Sequence, residues 1–160
     1  MSLHKLHTMR HHRIPLVLLT CLSVFSWTAC GVRRGDVVIL PESFEGWVVI
    51  FYEVPGKLVL PREGFKNLIN VPPSGIVLTK SVKSIGYGID EYYLGGPNGS
   101  RKRIWTEFEG CKASETCVRE IQFLFSPVRA SLFFVGGEAD IARFPRPDMQ
   151  SLRSLAGGAR

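Results

Sequence analysis

The sequence predicts an all-β domain, an antiparallel β-sandwich or small barrel, and three observations carry that prediction. Short runs rich in aromatic and β-branched residues recur between residues 37 and 144. Clusters of glycine and proline separate them, drawn from 16 glycines and 10 prolines among 160 residues. One pair of runs flanks Asn98-Gly99, a dipeptide that favours a tight hairpin turn. Many short strands broken by such turns belong to two packed sheets or one closed sheet, not to alternating strand and helix.

The elements follow in chain order. Val37 to Leu40 is an apolar run ended by Pro41. Phe44 to Val54 comes next and stops at Pro55-Gly56. Strand alternation puts Phe44, Val48, Ile50 and Tyr52 on one face and Trp47, Val49 and Phe51 on the other. Both faces are apolar, so this strand is expected inside a sheet and covered on each side. Phe65 to Val71 is extended, Pro72-Pro73-Ser74-Gly75 turns the chain, and Ile76 to Thr79 makes another strand. Ile89 to Leu94 is expected to pair with Arg101 to Phe108 across the Asn98-Gly99 turn. In Val118 to Phe125, Ile121, Phe123 and Phe125 alternate as a strand does, whereas Val118, Ile121 and Phe125 also fit a helical face. The strand is preferred, because a Cys111–Cys117 bridge then closes a loop between neighbouring strands. Val128 to Val135 is a strand ended by Gly136-Gly137. Glu138 to Phe144 suits a short C-terminal helix with acidic residues in its first turn, where the helix dipole favours them.

Ahead of this domain, Lys5, Arg10 and Arg13 precede an apolar stretch from Ile14 to Trp27, closed by Thr28-Ala29-Cys30-Gly31. The arrangement resembles a bacterial lipoprotein signal, in which the cysteine becomes the lipidated first residue of the mature chain. Trp27 stands where such signals usually carry Leu or another aliphatic residue. A membrane-crossing helix needs about 20 apolar residues, and this stretch is shorter and diluted by Thr20, Cys21, Ser23 and Ser26. Cleavage without lipid and an uncleaved anchor are the alternatives to lipidation. Gly31 is not the aspartate that usually retains such lipoproteins in the inner membrane, so the resemblance implies an outer membrane facing the periplasm. Met9 offers a second start that yields the same mature chain. The expected organisation is a signal over 1–29, a linker over 30–36, the sandwich over 37–144, and a flexible tail over 145–160 with little to bury.

Removing the signal changes what the composition means. It takes three of the 20 basic residues and none of the 14 acidic ones, so the net charge falls from +6 to +3. A mild, dispersed excess reads as solvated surface and not as a nucleic-acid partner. His4, His7, His11 and His12 all lie in the signal, which leaves the mature part without histidine. That excludes Ser-His-Asp and Cys-His catalysis and histidine-ligated metals; carboxylate, lysine or tyrosine chemistry remains. With Cys21 lost and Cys30 assigned to lipid, Cys111 and Cys117 read as a disulfide in an oxidising compartment. Such a small loop contributes about 2–2.5 kcal/mol in the chain-entropy model.

Candidate contact residues are few. Trp47, Tyr52, Tyr87, Tyr92, Tyr93 and Trp105 could build an aromatic platform for a glycan or peptide, although aromatics at strand spacing more often fill a core. Arg101-Lys102-Arg103 could meet lipid phosphates or envelope carboxylates, with Arg101 and Arg103 on one face. Asp90 and Glu91 point to opposite faces and cannot converge as an acid–base pair. The glycines at 86, 88, 95, 96 and 99 lack the context of a nucleotide loop. No catalytic, cofactor or metal residue is assigned.

Residues Pro41 to Gly56 carry a P-x-x-F-x-G-W-V-x-I-x-Y pattern, Val71 to Thr79 a P-x-S-G stretch, Tyr92-Tyr93 a paired-tyrosine strand, and Phe133-Phe134-Val135-Gly136 a terminal F-F-V-G. Together, over residues 37 to 144, they resemble an uncharacterised family of small bacterial lipoproteins. The resemblance implies a shared fold and export route and adds no catalytic residue. The expected function is a lipid-anchored envelope module, non-enzymatic, binding or structural. Its partners are the membrane and an envelope protein or glycan, with Trp47, Tyr92, Tyr93, Arg101 and Arg103 as contact residues. The rivals are a soluble periplasmic ligand-binding domain and a histidine-free glycan hydrolase, which needs two carboxyl groups roughly 5–10 Å apart.

Overall fold

Nine strands among the described residues form two sheets packed face to face. The structure, a computed structural model, describes residues 35–83, 88–125 and 128–157. The chain divides into two compact units, Met1–Gly31 and Val32–Arg160. The first, with the expected signal and Cys30, lies outside the described residues. Among the described residues no helix is long and apolar enough to cross a membrane.

The strands are β1 (Asp36–Leu40), β2 (Gly46–Phe51), β3 (Arg62–Glu63), β4 (Lys66–Asn70), β5 (Ile76–Leu78), β6 (Glu91–Gly95), β7 (Arg101–Ile104), β8 (Cys117–Leu124) and β9 (Ala130–Gly136). One sheet has the order β3-β4-β1-β6-β7 and the other β5-β2-β9-β8. The result is an open sandwich and not a closed barrel. Its sheets are mixed where antiparallel pairing was expected: β1 runs parallel to β4 and β6, and β2 runs parallel to β5. The cause is connectivity. After β1 the chain crosses to the other sheet for β2 before returning to β4, so the opposite sheet supplies the crossover that parallel neighbours require.

β2 behaves as its two apolar faces require. Val48 and Ile50, with Phe44 and Tyr52, enter the core between the sheets, against Val38, Leu40, Ile69, Tyr92 and Phe133. Val49 and Phe51 face outward with Leu132 and Ala130. That outer face is covered by the chain after Pro145. A helix, α1 (Met149–Gly157), packs Met149 and Leu152 against it where a tail with little to bury was expected. Asp148 caps α1, its carboxylate accepting the backbone N–H groups of Gln150 and Ser151 at 3.0 and 3.2 Å. The expected short helix over Glu138 to Phe144 is a 3-10 turn, Glu138–Arg143, with Glu138 and Asp140 in its first turn.

Residues Val118 to Leu124 belong to a strand that ends one residue before Phe125, and a bulge explains the double periodicity. The pairing with β9 shifts register between Arg119 and Gln122, and Glu120 takes a positive φ of 48°. The extra residue puts both Val118 and Ile121 on the core side, which imitates helical spacing. At the Pro72 to Gly75 turn, Gly75 has φ +72° and lies so near Trp47 that a Cβ would stand 2.3 Å from its carbonyl oxygen.

Candidate functional site

The β6–β7 hairpin builds the surface on which the expected contact residues meet. Asn98 and Gly99 adopt positive φ at its turn, as the dipeptide requires. Register places Tyr93 opposite Arg103 and Gly95 opposite Arg101. Because Tyr92 points into the core, alternation turns Tyr93 and Glu91 outward. Tyr93 donates its hydroxyl hydrogen to Glu91 Oε2 at 3.1 Å, and Lys66 Nζ from β4 reaches Glu91 Oε1 at 2.5 Å. Arg101 reaches across to Glu63 of the far edge strand at 2.7 Å. Arg103 pairs with Glu109 at 3.0 Å and lies over the half-exposed Trp105 ring, 4.3 Å from its centroid. This outer face is thus laced by ion pairs around two aromatic rings.

Its electrostatics follow from those contacts. The Lys66 hydrogen bond, aided by Tyr93, holds the Glu91 carboxyl below its usual range against the opposing effect of burial. Burial, and then the bond to Glu91, pushes the Tyr93 phenol up. For Glu109 burial acts upward, but the Thr106 N–H and hydroxyl, together with Arg103, hold the carboxyl down. Beside Arg101 a shallow cleft of about 370 Å³ opens between the hairpin turn, Lys102 and Glu42. That volume is within the range of small-ligand sites.

The remaining expected contacts lie elsewhere. Tyr92 is buried between the sheets, edge-on to Phe133 at 5.3 Å. Trp47 sits on the outer face of the other sheet, where its indole N–H donates to the Phe144 carbonyl at 3.1 Å and Arg146 lies over the ring. Tyr52 is buried, and Tyr87 and Cys30 lie outside the described residues. Tyr93, Arg101 and Arg103 therefore share one face with Trp105, while Trp47 and Tyr92 do not join them.

Cys111 and Cys117 stand at disulfide distance, with Cα atoms 6.4 Å apart. The loop they close is organised from below by Arg119. This buried guanidinium donates to the carbonyls of Lys112, Ala113 and Glu115 at 2.6–3.3 Å and to that of Gly136 at 3.2 Å. Glu115 brings a third ligand-type atom to within 4.8 Å of the two sulfurs. Joined as a disulfide, those sulfurs are not thiolate ligands.

A buried charge cluster at the start of β1 was not legible as a site. Lys83 Nζ stands 3.0 Å from Asp36 and 3.9 Å from Asp90. Asp36 also accepts from Asn67 at 2.8 Å, and Asp90 accepts the Asp36 backbone N–H at 2.8 Å. The Tyr52 and Phe123 rings lie 5.2 and 5.0 Å from the ammonium. The space left there is about 10 Å³, room for about one water, and the cluster ties the sheets together. As alternation predicts, Asp90 turns inward to Lys83 and Glu91 outward to Lys66.

A family model matches residues 33–122, most of the sandwich. The chain belongs to DUF6843, a family of unknown function. A search of curated proteins gives no match. Among solved structures, this DUF6843 chain is similar to a crystal structure described as a "putative lipoprotein from Bacillus anthracis". The two share 20% identity over 78% of this chain and 94% of the other, with a TM-score of 0.52. At that identity the likeness shows the fold.

Proposed function

We propose that this DUF6843 protein is a non-enzymatic module of the bacterial envelope, held to a membrane by lipid on Cys30. In an organism with an outer membrane it faces the periplasm, and it contacts an envelope protein or glycan through the outer face of the β6–β7 hairpin. The export-type segment ending at Cys30 supports the anchor, as does the description of the structural neighbour as a lipoprotein. The likeness of the Pro41 to Gly56 pattern to small lipoproteins points the same way. One observation carries the contact surface: Tyr93, Arg101 and Arg103 share one face of the hairpin, and Arg101 also lines a cleft. Guanidinium groups and aromatic rings exposed together suit carboxylate-bearing sugars or peptides.

Two measurements test the reading. Intact mass of the protein taken from membranes is expected to show a diacyl or triacyl group on a chain beginning at Cys30, and Cys30→Ser is expected to release it. A mature chain without lipid would leave the soluble ligand-binding domain as the working reading. Pull-down on isolated cell-wall glycan is expected to retain the protein and to lose it in Arg101→Ala/Arg103→Ala. Equal retention of that variant removes the contact surface from the proposal.

A further inference from the structure

The exposed large hydrophobic side chains are distributed unevenly. Leu58, Val59, Phe65, Val82, Ile89 and Phe125 are all exposed, Leu58 at 87%, Phe65 at 79% and Ile89 at 71%. Contacts gather them at one end of the sandwich, the end at which β1 begins. The Leu58 carbonyl accepts from Lys80 N at 3.0 Å and from the Thr79 hydroxyl at 2.8 Å, which ties that loop to the segment leading to Val82. Lys83, next to Val82, pairs with Asp36, the first residue of β1. The Ile89 backbone packs on Gly35, where a Cβ would stand 1.9 Å from its carbonyl oxygen. Phe65 precedes Lys66 and Asn67, and Asn67 pairs with Asp36. Phe125 follows Leu124, which aligns with Ala130 and so with Phe51, beside Leu78 at the end of β5. Phe123, also exposed in part, lies at the same end with its ring 5.0 Å from the Lys83 ammonium, whereas Trp105 and Phe108 lie outside this group.

A monomer in water rarely exposes so many apolar side chains together, and such a patch marks a surface that is covered in use. We infer that this end of the sandwich seats on a phospholipid bilayer, with Leu58, Val59, Phe65 and Ile89 entering the interfacial region. Two observations favour a bilayer over another occupant. The exposed cations Lys57, Arg62 and Lys80 stand among the apolar residues, the pattern that meets anionic headgroups while carbon side chains dip beneath them. The chain length also fits: Cys30 precedes Asp36 by six residues, a reach of roughly 20 Å when extended. A lipid on that cysteine would leave the start of β1 no farther than that from the membrane. The inference rests on the anchored reading for the presence of a bilayer, and its test omits the anchor so that the two fail separately.

Residues 31–160 contain both sheets and both apolar clusters, and the chain from Val32 onward forms a unit of its own. This lipid-free chain is mixed with vesicles of phosphatidylglycerol and phosphatidylethanolamine and sedimented. It is expected to bind, and Leu58→Asp/Val59→Asp is expected to lower its partition coefficient at least about tenfold. Phe108→Asp/Ala142→Asp adds the same charge at exposed positions elsewhere and is expected to leave partition within about twofold of the unsubstituted chain. All the replaced side chains are exposed, and matching thermal melts confirm that each variant is folded. Absence of vesicle binding by the unsubstituted chain overturns the inference. So does an equal loss in the two variants, which would mean that charge alone decides. So too does a dimer in solution that Leu58→Asp/Val59→Asp disperses, since a second copy would then be the cover.

Discussion

Lys83 holds its ammonium 3.0 Å from Asp36 inside an enclosure of Val38, Ile50, Ile69 and Phe133, with its side chain only 8% exposed. Removing one member of a buried ion pair leaves the other charge uncompensated, which costs about 3–5 kcal/mol. Lys83→Met is therefore expected to lower stability in urea titrations by about 3 kcal/mol. Lys83→Met/Asp36→Leu should recover part of that loss, because it removes one desolvated charge of each sign while Asp90 keeps the Asp36 backbone N–H. The outer face makes a second prediction at this scale. Glu91 and Glu109 are held below the ordinary carboxyl value of 4.5 in the folded chain. Their contribution is present above that value and is lost as pH falls through the lower folded values. Melting temperature is expected to decline below about pH 4.5, and Glu91→Gln should flatten part of that decline. Lys66→Met should do the same from the other side of the bond. The sequence carried a faint sign of the buried cluster: Asp36 shares parity with Val38 and Leu40, which face the core. A charge just before an apolar run ordinarily belongs to the linker, and nothing local shows that Lys83 waits across the sandwich.

Among the elements, those with strict alternation were legible and those with an inserted residue or a remote cover were not. β2 announced both of its faces, since each carries three or more apolar residues. β8 gave a mixed signal because its bulge delivers Val118 and Ile121 to one side. α1 was missed, its residues being read as a flexible tail, although Asp148 at the cap and the spacing of Met149 and Leu152 carried its signal. Its purpose was already implied by β2, whose outer face required a cover. Asp148→Ala is expected to cost about 1 kcal/mol by removing the cap. A chain ending at Pro147 should bind a hydrophobic dye and melt lower, because Val49, Phe51 and Leu132 lose Met149 and Leu152. Replacing Cys111 and Cys117 together by alanine is expected to cost about 2–2.5 kcal/mol. Arg119→Ala should free the same loop with the bridge intact, seen as faster amide exchange over residues 112–116.

For the whole molecule, alternation revealed which side each strand buries but not which neighbour it chooses. Side chains report facing, whereas neighbour choice is decided by where the chain goes between strands. Three parallel pairings were therefore outside the reach of periodicity. The contact surface was half legible for a related reason: alternation grouped Arg101 with Arg103, but it could not say that Tyr92 would be spent on the core and Trp47 on the segment after Phe144. The placement of β1 has a consequence in time as well as in space. Asp36 donates its backbone N–H to the carboxylate of Asp90, 54 positions downstream, and β1 is flanked by β4 and β6 rather than by its successor. One of its two partner strands, β6, does not exist until more than half of the chain has been made. Long-range pairing of this kind delays folding, so a fragment ending at residue 88 is expected to remain unfolded by circular dichroism. Under the proposed envelope reading, in which the chain threads an export channel as an extended strand, that delay is useful: the segment that enters first is the one least able to fold before the rest has followed.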